Sequence, residues 1–332
     1  MKYRKLGRTG LMVSEICLGT MTFGNQIDDA ESSKLIRWAL DAGINFIDTA
    51  DQYVDGKTEE IVGKALKGSV RDSVVLATKG GGWQSGPSVN DIGCSRKHIM
   101  DAVEGSLLRL GTDYFDIYYT HRWDTATPID ETLRALDDLV HQGKVRYIGC
   151  SNYFGWQLSK ALWVSDLYNL ARYDCTQPPY NLITREIEDE FLPICSNEGI
   201  GVCVYNPLAA GLLTGKHDPS KPPAEGTRFS NQRQGKTYSA RYWLEGNFKA
   251  VSTLKELTQQ HGHSMAQFAL AWILNNRTIT SVICGANSIK QLEENIGAVD
   301  VSLTEEELNV CDEVWQELRP PRFSYGAQQL YR

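Results

Sequence analysis

The chain has 332 residues, of which 42% are hydrophobic and 23% are charged, and this ordinary composition excludes a fibrous or intrinsically disordered protein. Its net charge of −7, with no block rich in Lys or Arg, argues against a nucleic acid or an anionic membrane as partner. The length suits either two average domains or one large α/β barrel.

The N-terminal residues do not resemble an export signal. The apolar patch within MKYRKLGRTGLMVSE is cut by Ser14 and Glu15, and no apolar run reaches the length that spans a bilayer. Eight cysteines occur without any CxxC pair, most of them inside apolar runs such as GVCVY. We therefore expect core cysteines in a reducing compartment and a cytoplasmic protein.

Strand-like runs alternate with helical patterns along the whole chain. Two of the helical segments are residues 58–66 and residues 127–140, and in the second Thr127 is the predicted N-cap and Pro128 the first helical residue. This alternation, repeated eight times, predicts a parallel sheet closed into a (β/α)8 TIM barrel. The predicted strands span 16–20, 45–48, 74–79, 115–121, 145–150, 173–177, 201–206 and 280–285.

A doubly wound open sheet is the alternative arrangement of such elements. That fold binds dinucleotides through GxGxxG after its first strand, and the sequence contains no such motif. The barrel is therefore favoured. Residues 80–94 and 214–246 are too long for plain connections, and because both follow predicted strand ends we expect them to line a functional site.

Polar side chains stand at or just past the C-terminal ends of the predicted strands. In a closed barrel these ends meet at one mouth, which is where barrel enzymes carry out their chemistry. The residues at these positions are Asp48, Tyr53, Lys79, His121, Ser151, Asn152, Gln177, Tyr205 and Asn206.

Four of these side chains, Asp48, Tyr53, Lys79 and His121, have the chemistry of one acid–base device. A phenol has a pKa of about 10 and is a poor proton donor near neutrality. An ammonium beside it, itself held by a carboxylate, favours the phenolate and is predicted to lower that pKa. An imidazole can then donate a hydrogen bond to a substrate oxygen.

Several stretches resemble the aldo-keto reductase family. They are GINFIDTADQY (43–53), LATKG (76–80), RLGTDYFDIYYTHRWD (109–124), GKVRYIGCSN (143–152), YNPLAAGLLTGK (205–216) and GANSIKQLEEN (285–295). The similarity extends from Lys2 to about residue 316, and its first part resembles the N-terminal β-hairpin of the family. The resemblance implies one (β/α)8 barrel domain over residues 1–332 that reduces carbonyl groups with NAD(P)H.

The resemblance also implies a role for each matched residue. Tyr53 would protonate the carbonyl oxygen as hydride arrives from nicotinamide C4. Lys79, paired with Asp48, would tune the phenol, and His121 would orient the carbonyl. The implied cofactor residues are Gly19, Thr20, Ser151, Asn152, Gln177 and Tyr205 at the nicotinamide, Asn206, Pro207, Leu208, Gly211, Lys216 and Arg228 at the pyrophosphate, and Gly285, Asn287, Gln291, Glu294 and Asn295 at the adenosine.

The cofactor residues depart from a common family pattern at three positions. Many members place a Lys-Ser pair and, five residues on, an Arg against the 2′-phosphate of NADP, whereas these positions hold Gly285, Ala286 and Gln291 here. A branch with G-A-x-S…Q is also familiar and commonly takes NADP. With Lys290, Lys216 and Arg228 as sources of positive charge, the prediction is NADP, with NAD as the alternative.

Aromatic and polar residues near the predicted mouth point to the substrate. Trp83 in the first long loop, and Trp123 and Asp124 after His121, suit a sugar or an aromatic aldehyde, although Trp123 would equally serve to cover the barrel rim. The aromatic residues of the tail, 320–332, could cover the mouth. The expected partner is therefore a small carbonyl compound or a sugar, and the sequence indicates no oligomeric state.

Three other functions are compatible with the same residues. A barrel of this family could bind the nucleotide as a sensor or channel accessory with little turnover. A Schiff-base aldolase could use Lys79 at its barrel strand end. A glycoside hydrolase needs two carboxylates across a pocket, for which Asp48 and Asp124 are the available pair.

Overall fold

Eight parallel strands close into a barrel in the computed structural model, which describes residues 1–83, 85–231 and 235–319. The barrel order is β10-β3-β4-β5-β6-β7-β8-β9, so each strand pairs with its neighbour along the chain and the last pairs with the first. The predicted (β/α)8 fold is confirmed. The barrel strands are β3 Ile16–Gly19, β4 Phe46–Asp48, β5 Val75–Gly80, β6 Phe115–Thr120, β7 Val145–Ser151, β8 Tyr173–Gln177, β9 Gly201–Val204 and β10 Ile279–Gly285.

A helix follows most of the barrel strands, and each can pack on the barrel because its apolar residues recur on one face. In α4 the leucines at 133, 136 and 139 are buried against the barrel while Arg134 is exposed. The helices are α1 Asp29–Asp41, α2 Lys57–Ala65, α3 Arg96–Leu110, α4 Ile129–His141, α5 Gly155–Tyr168, α6 Phe191–Glu198, α7 Gly235–Tyr242, α8 Glu245–His261, α9 Met265–Asn275, α10 Ile289–Gly297 and α11 Glu305–Leu318.

Two details of the predicted elements are wrong. The N-cap of α4 is Pro128 and not Thr127, because the Thr127 hydroxyl donates to the Asp124 carboxylate at 2.6 Å instead of capping the helix. The second long connection, 214–246, contains the helix α7, which was not predicted from the sequence because the connection is rich in Gly and Pro.

An N-terminal hairpin closes one end of the barrel. Its strands, β1 Tyr3–Lys5 and β2 Met12–Ser14, pair antiparallel. Leu6 and Val13 are fully buried and pack with the side chains that fill the barrel interior, such as Phe46, Ile117 and Tyr119. This hairpin lies at the N-terminal ends of the barrel strands, so the mouth of the barrel is at the opposite end, where the strands have their C-termini.

All eight cysteines are buried and none forms a disulfide. Within the described ranges, no helix is both long and apolar enough to cross a membrane. The tail, for which the sequence predicts a cover over the mouth, lies outside the described residues.

Candidate active site

Strands β4, β5 and β6 bring the four predicted catalytic side chains to the mouth. Asp48 ends β4, Lys79 is the penultimate residue of β5, and His121 follows β6 directly. Tyr53 stands five residues after Asp48, in a short 3-10 turn, Tyr53–Gly56, that leads into α2. The parallel order of these strands therefore gathers residues that are 73 positions apart in sequence.

A buried ion pair lies at the centre of this group. Lys79 Nζ donates to Asp48 Oδ1 at 2.6 Å and to the Thr49 carbonyl oxygen at 2.7 Å. The second carboxylate oxygen of Asp48 accepts a hydrogen bond of 2.8 Å from Gln177 Nε2. Both ionised side chains are at most 3% exposed, so each depends on these partners for its charge.

The ion pair keeps Lys79 protonated. Burial disfavours the ammonium, but the nearby Asp48 carboxylate and the Tyr53 phenol outweigh it and raise the pKa of Lys79. A Schiff-base lysine must instead be a neutral, accessible amine. The geometry of Lys79 therefore argues against the aldolase alternative, and the commitment of Asp48 to Lys79 argues equally against a glycoside hydrolase.

Tyr53 lies against the ammonium. Lys79 Nζ is 5.0 Å from the centre of the phenol ring. Burial raises the pKa of Tyr53, and the Lys79 ammonium only opposes that rise. The predicted lowering of this pKa is wrong in direction, because loss of water costs the phenolate more than the ammonium stabilises it. Tyr53 therefore holds its proton at neutral pH, as a proton donor must.

His121 completes the group as a neutral imidazole. Its ring centre is 6.2 Å from that of Tyr53, and the rings meet edge-on at 77°. Burial lowers the pKa of His121 well below its usual value, and the charges of Lys79 and Arg122 lower it further. The Gln52 amide nitrogen lies 2.9 Å from His121 Nδ1. If the amide donates to Nδ1, the ring proton is on Nε2.

The residues predicted to bind the nicotinamide continue around the mouth from β7 to β9. Asn152 donates to the His121 carbonyl oxygen at 2.8 Å and accepts from the Tyr205 hydroxyl at 2.7 Å. The Ser151 hydroxyl donates to the Gln177 carbonyl oxygen at 2.8 Å. Tyr205 is thereby fixed by its hydroxyl while its ring stays half-exposed, which is the arrangement that a stacked aromatic ligand requires.

The backbone at β3 also reaches this site. Both the amide and the hydroxyl of Thr20 donate to the Asp48 carbonyl oxygen, at 3.1 and 2.9 Å. A Cβ on Gly19 would stand 2.8 Å from the Ile283 side chain, so only glycine fits there. Gly19 and Thr20 thus line the base of the mouth beside Asp48.

The segment predicted to hold the pyrophosphate is a tight left-handed turn. Asn206 Oδ1 accepts from the Ala210 amide at 2.8 Å, and Asn206 Nδ2 donates to the Tyr242 hydroxyl at 2.6 Å. Ala210 and Gly211 have φ values of 58° and 97°, a conformation that favours glycine. Pro207 is buried and Leu208 half-buried, and Lys216 follows after the turn.

The predicted adenosine residues follow β10 and open α10. The Asn287 amide donates to Gln291 Oε1 at 2.8 Å, and Ser288 caps the helix. A Cβ on Gly285 would lie 3.2 Å from Arg228 Nη2, so the missing side chain leaves room for the guanidinium beside the strand end. Glu294 is exposed on α10, whereas Asn295 is buried.

These features fit a nicotinamide dinucleotide. A half-exposed aromatic ring and amide side chains suit the nicotinamide end, and two cations, Lys216 and Arg228, suit phosphate groups. Neither cation forms an ion pair with a carboxylate in the part of the chain that the structure describes. The closed left-handed turn and the bare Gly285 provide the close backbone approach that phosphates and ribose need.

Of the three residues predicted to contact substrate, Trp83 alone touches the catalytic group. Its ring centre lies 4.7 Å from that of His121, edge-on, and the side chain is 39% exposed. Trp123 instead packs on Tyr153 and Trp156, as the alternative of a rim cover had it.

Asp124 serves its own loop. Its carboxylate accepts from the Cys94 amide at 2.7 Å, the Ala126 amide at 2.8 Å and the Thr127 hydroxyl at 2.6 Å. Burial opposes ionisation, but these hydrogen bonds prevail and lower the pKa of Asp124. Its oxygens are therefore committed to holding the connection between β6 and α4.

The charged side chains that lie behind the four catalytic side chains were not predicted from the sequence. Arg109 Nε donates to Glu59 Oε2 at 2.7 Å, and the Thr78 hydroxyl donates to Glu59 Oε1 at 2.5 Å. Burial, together with the Glu59 charge, raises the pKa of Asp51 to about 7. A signal was available: Glu59 lies on the helical face of residues 58–66 that also carries Val62 and faces the core.

The chain is similar in sequence to known proteins. Residues 15–316 match the model of the Aldo/keto reductase family. Two plant proteins, each named "Probable voltage-gated potassium channel subunit beta", are similar over 305 residues, 91% of this chain and 92% of theirs: one from Arabidopsis thaliana is 39% identical and one from Oryza sativa subsp. japonica is 41% identical. The "Uncharacterized oxidoreductase YrpG" of Bacillus subtilis (strain 168) is 39% identical over 324 residues, 95% of this chain and 96% of its own.

Proposed function

Because the chain belongs to the aldo/keto reductase family, we propose that it is an NADPH-dependent reductase of aldehydes, ketones or sugar carbonyls. The family consists in general of NAD(P)H-dependent oxidoreductases, and a relative carries the name oxidoreductase. One observation carries the proposal: a phenol, an ammonium, a carboxylate and a neutral imidazole are in contact at the barrel mouth.

The chain's own residues supply the proton and the orientation. Hydride for the carbonyl carbon is the chemistry that a bound NADPH supplies. Tyr53 Oη gives its proton to the carbonyl oxygen, so that C=O becomes CH–OH and Tyr53 becomes a phenolate. The Lys79 ammonium stabilises that phenolate, and Asp48 keeps the ammonium charged.

His121 positions the carbonyl oxygen for this transfer. As a neutral imidazole, which carries its proton on Nε2 when the Gln52 amide donates to Nδ1, it donates a hydrogen bond to the oxygen without competing with Tyr53 as an acid. Trp83 stands edge-on to the imidazole and covers one side of it. General acid help and oriented donors each contribute roughly 10²–10⁴-fold to rate.

NADP is proposed over NAD on the basis of charge. Lys216 and Arg228 are cations beside the predicted pyrophosphate and adenosine residues, and a guanidinium binds a 2′-phosphate well. The proposed partner is a small carbonyl compound or a sugar, since the aromatic Trp83 and polar donors meet at the mouth.

Tyr53→Phe tests the proposal directly. We expect the variant to lose at least about 10²-fold in kcat for every reduced carbonyl while its NADPH affinity, measured by fluorescence titration, stays within about 2-fold. Tyr168→Phe, which changes an exposed phenol on α5, serves as the control and should keep full activity. A fully active Tyr53→Phe enzyme would place the proton donor elsewhere and refute the assignment.

The names of the plant relatives favour a second candidate, a nucleotide-binding accessory subunit of a potassium channel. Such a protein needs tight NADPH binding but little turnover. A panel of aldehydes, ketones and sugars assayed at 340 nm separates the two. Tight binding with turnover near zero on every compound would support the accessory function, whereas multiple turnovers on any of them support the reductase.

A further inference from the structure

Arg122 is a fixed cation beside the catalytic group. It follows His121 directly, and its Nε donates to the Gly82 carbonyl oxygen at 2.8 Å, a bond that its Nη2 shares. The guanidinium carbon lies 4.6 Å from the Trp83 ring centre, a cation–π contact. Trp83 in turn stands 4.7 Å from His121, so the guanidinium lies within about 9 Å of the imidazole that orients the carbonyl.

The guanidinium has donors to spare. A guanidinium carries five N–H donors, and the two bonds of Arg122 both go to a single oxygen of Gly82. The Nη1 donors make no hydrogen bond to the described residues. The edge of the guanidinium that recognises a carboxylate or a phosphate is therefore available.

Arg122 also has no acidic partner among the residues described, unlike comparable arginines. Apart from Arg228, the other partly buried arginines among the described residues pair with a carboxylate, as Arg71 does with Asp116 and Arg109 with Glu59. The nearest acid in sequence, Asp124, is committed to its own loop. A partly buried cation without a counter-charge is costly unless a ligand supplies one.

We propose that Arg122 is an anion-binding residue of the carbonyl pocket, and that the preferred substrates are aldehydes or ketones carrying a carboxylate or phosphate a few bonds from the carbonyl. This inference rests on the proposed reductase function. The Gly82 carbonyl and the Trp83 ring hold the guanidinium in place, so little side-chain freedom is lost when the anion binds. The carbonyl would then reach His121 and Tyr53.

A matched pair of substrates tests the charge alone. 4-Carboxybenzaldehyde and its neutral methyl ester share the same aldehyde and ring. We expect the wild-type enzyme to have the higher kcat/KM for the acid, and Arg122→Gln to lower that preference by roughly 10–100-fold, mainly through KM, with the ester changed little. Arg122→Lys should keep part of the preference. The control Arg134→Gln removes an arginine that also lies over an aromatic ring, Tyr168, on the outer surface, and should change nothing.

A binding measurement keeps this test independent of turnover. Benzoate should quench tryptophan fluorescence of the wild-type protein and compete with the ester, and benzyl alcohol should do neither. Arg122→Gln, with a melting temperature like that of the wild type, should lose the benzoate effect. Equal use of acid and ester by an active enzyme, together with unchanged benzoate binding in Arg122→Gln, would overturn the anion site and leave the reductase standing. Absence of all turnover with intact, Arg122-dependent benzoate binding would overturn the reductase alone.

Discussion

Asp51→Asn should make the protein more stable, and increasingly so as the pH rises. Burial, then the Glu59 charge, raises the pKa of Asp51 from 3.8 to about 7, against the opposing charges of Arg109 and Lys79. The folded state therefore keeps this proton at pH values at which the unfolded chain has released it. A raised acid pKa contributes stability that is fully present below the unfolded pKa of 3.8 and is lost as the pH rises towards 7.

The size of the effect follows from the shift. Each pKa unit corresponds to about 1.4 kcal/mol, so a rise of about three units limits the loss to about 4 kcal/mol. Part of the loss is already present at pH 5, and the half-buried carboxyl keeps some contact with water. We therefore expect the stability advantage of Asp51→Asn, which cannot ionise, to grow by about 2 kcal/mol between pH 5 and pH 8.

Urea unfolding of both proteins at pH 5, 6, 7 and 8 measures this difference. Asp124→Asn is the matched control, because hydrogen bonds lower the pKa of Asp124, and its contribution is complete above 3.8 and constant over this range. Parallel curves of unfolding free energy against pH for wild type and Asp51→Asn would refute the argument. They would mean that Asp51 is ionised in the folded protein throughout, with Arg109 or Lys79 compensating its charge.

Two further predictions concern close contacts and charge at the mouth. A Cβ on Gly80 would stand 2.3 Å from the Tyr118 hydroxyl, which is buried and lacks a hydrogen-bond partner in the described structure. Gly80→Ala should therefore lower the unfolding free energy by about 1–3 kcal/mol in thermal or urea unfolding. Adding Tyr118→Phe removes the hydroxyl and should restore most of that stability. If the double variant is no more stable than Gly80→Ala, the clash with the hydroxyl is not the cause of the loss. Lys216→Ala and Arg228→Ala should each weaken NADPH binding more than NADH binding in fluorescence titrations, because only NADPH carries the 2′-phosphate, and equal losses for both nucleotides would remove these residues from the 2′-phosphate site.

Periodicity predicted the barrel because strand and helix patterns were regular and the strand ends were polar. The same reasoning failed where the structure depends on which hydrogen-bond partner a single side chain takes. Thr127 is a residue type that often caps helices, yet its hydroxyl donates to Asp124, and the N-cap position is occupied by Pro128. Helix α7 was hidden because its eight residues include glycine, serine and several polar side chains and have no strong apolar face.

The candidate site was predictable to the extent that each side chain follows its strand end. Asp48, Lys79 and His121 needed only the parallel order of the strands. The partners behind them required tertiary contacts: Gln52 meets His121 only because the turn after β4 folds over β6. The position of Trp123 just after His121 predicted a contact with substrate, but its ring packs on Trp156 of α5 instead.

The turn after Tyr53 has a left-handed backbone that is unusual for its residue types. Val54, Asp55 and Gly56 have successive φ values of 50°, 53° and 89°, and a left-handed conformation at a β-branched residue such as Val54 costs about 1–2 kcal/mol. Such strain persists only where the surroundings enforce it. A Cβ on Gly56 would lie 2.7 Å from the Arg109 side chain, which is itself bonded to the buried Glu59 of α2. The Arg109–Glu59 ion pair behind the mouth thus packs directly against the turn that joins Tyr53 to α2, so any larger residue at position 56 would have to displace the ion pair.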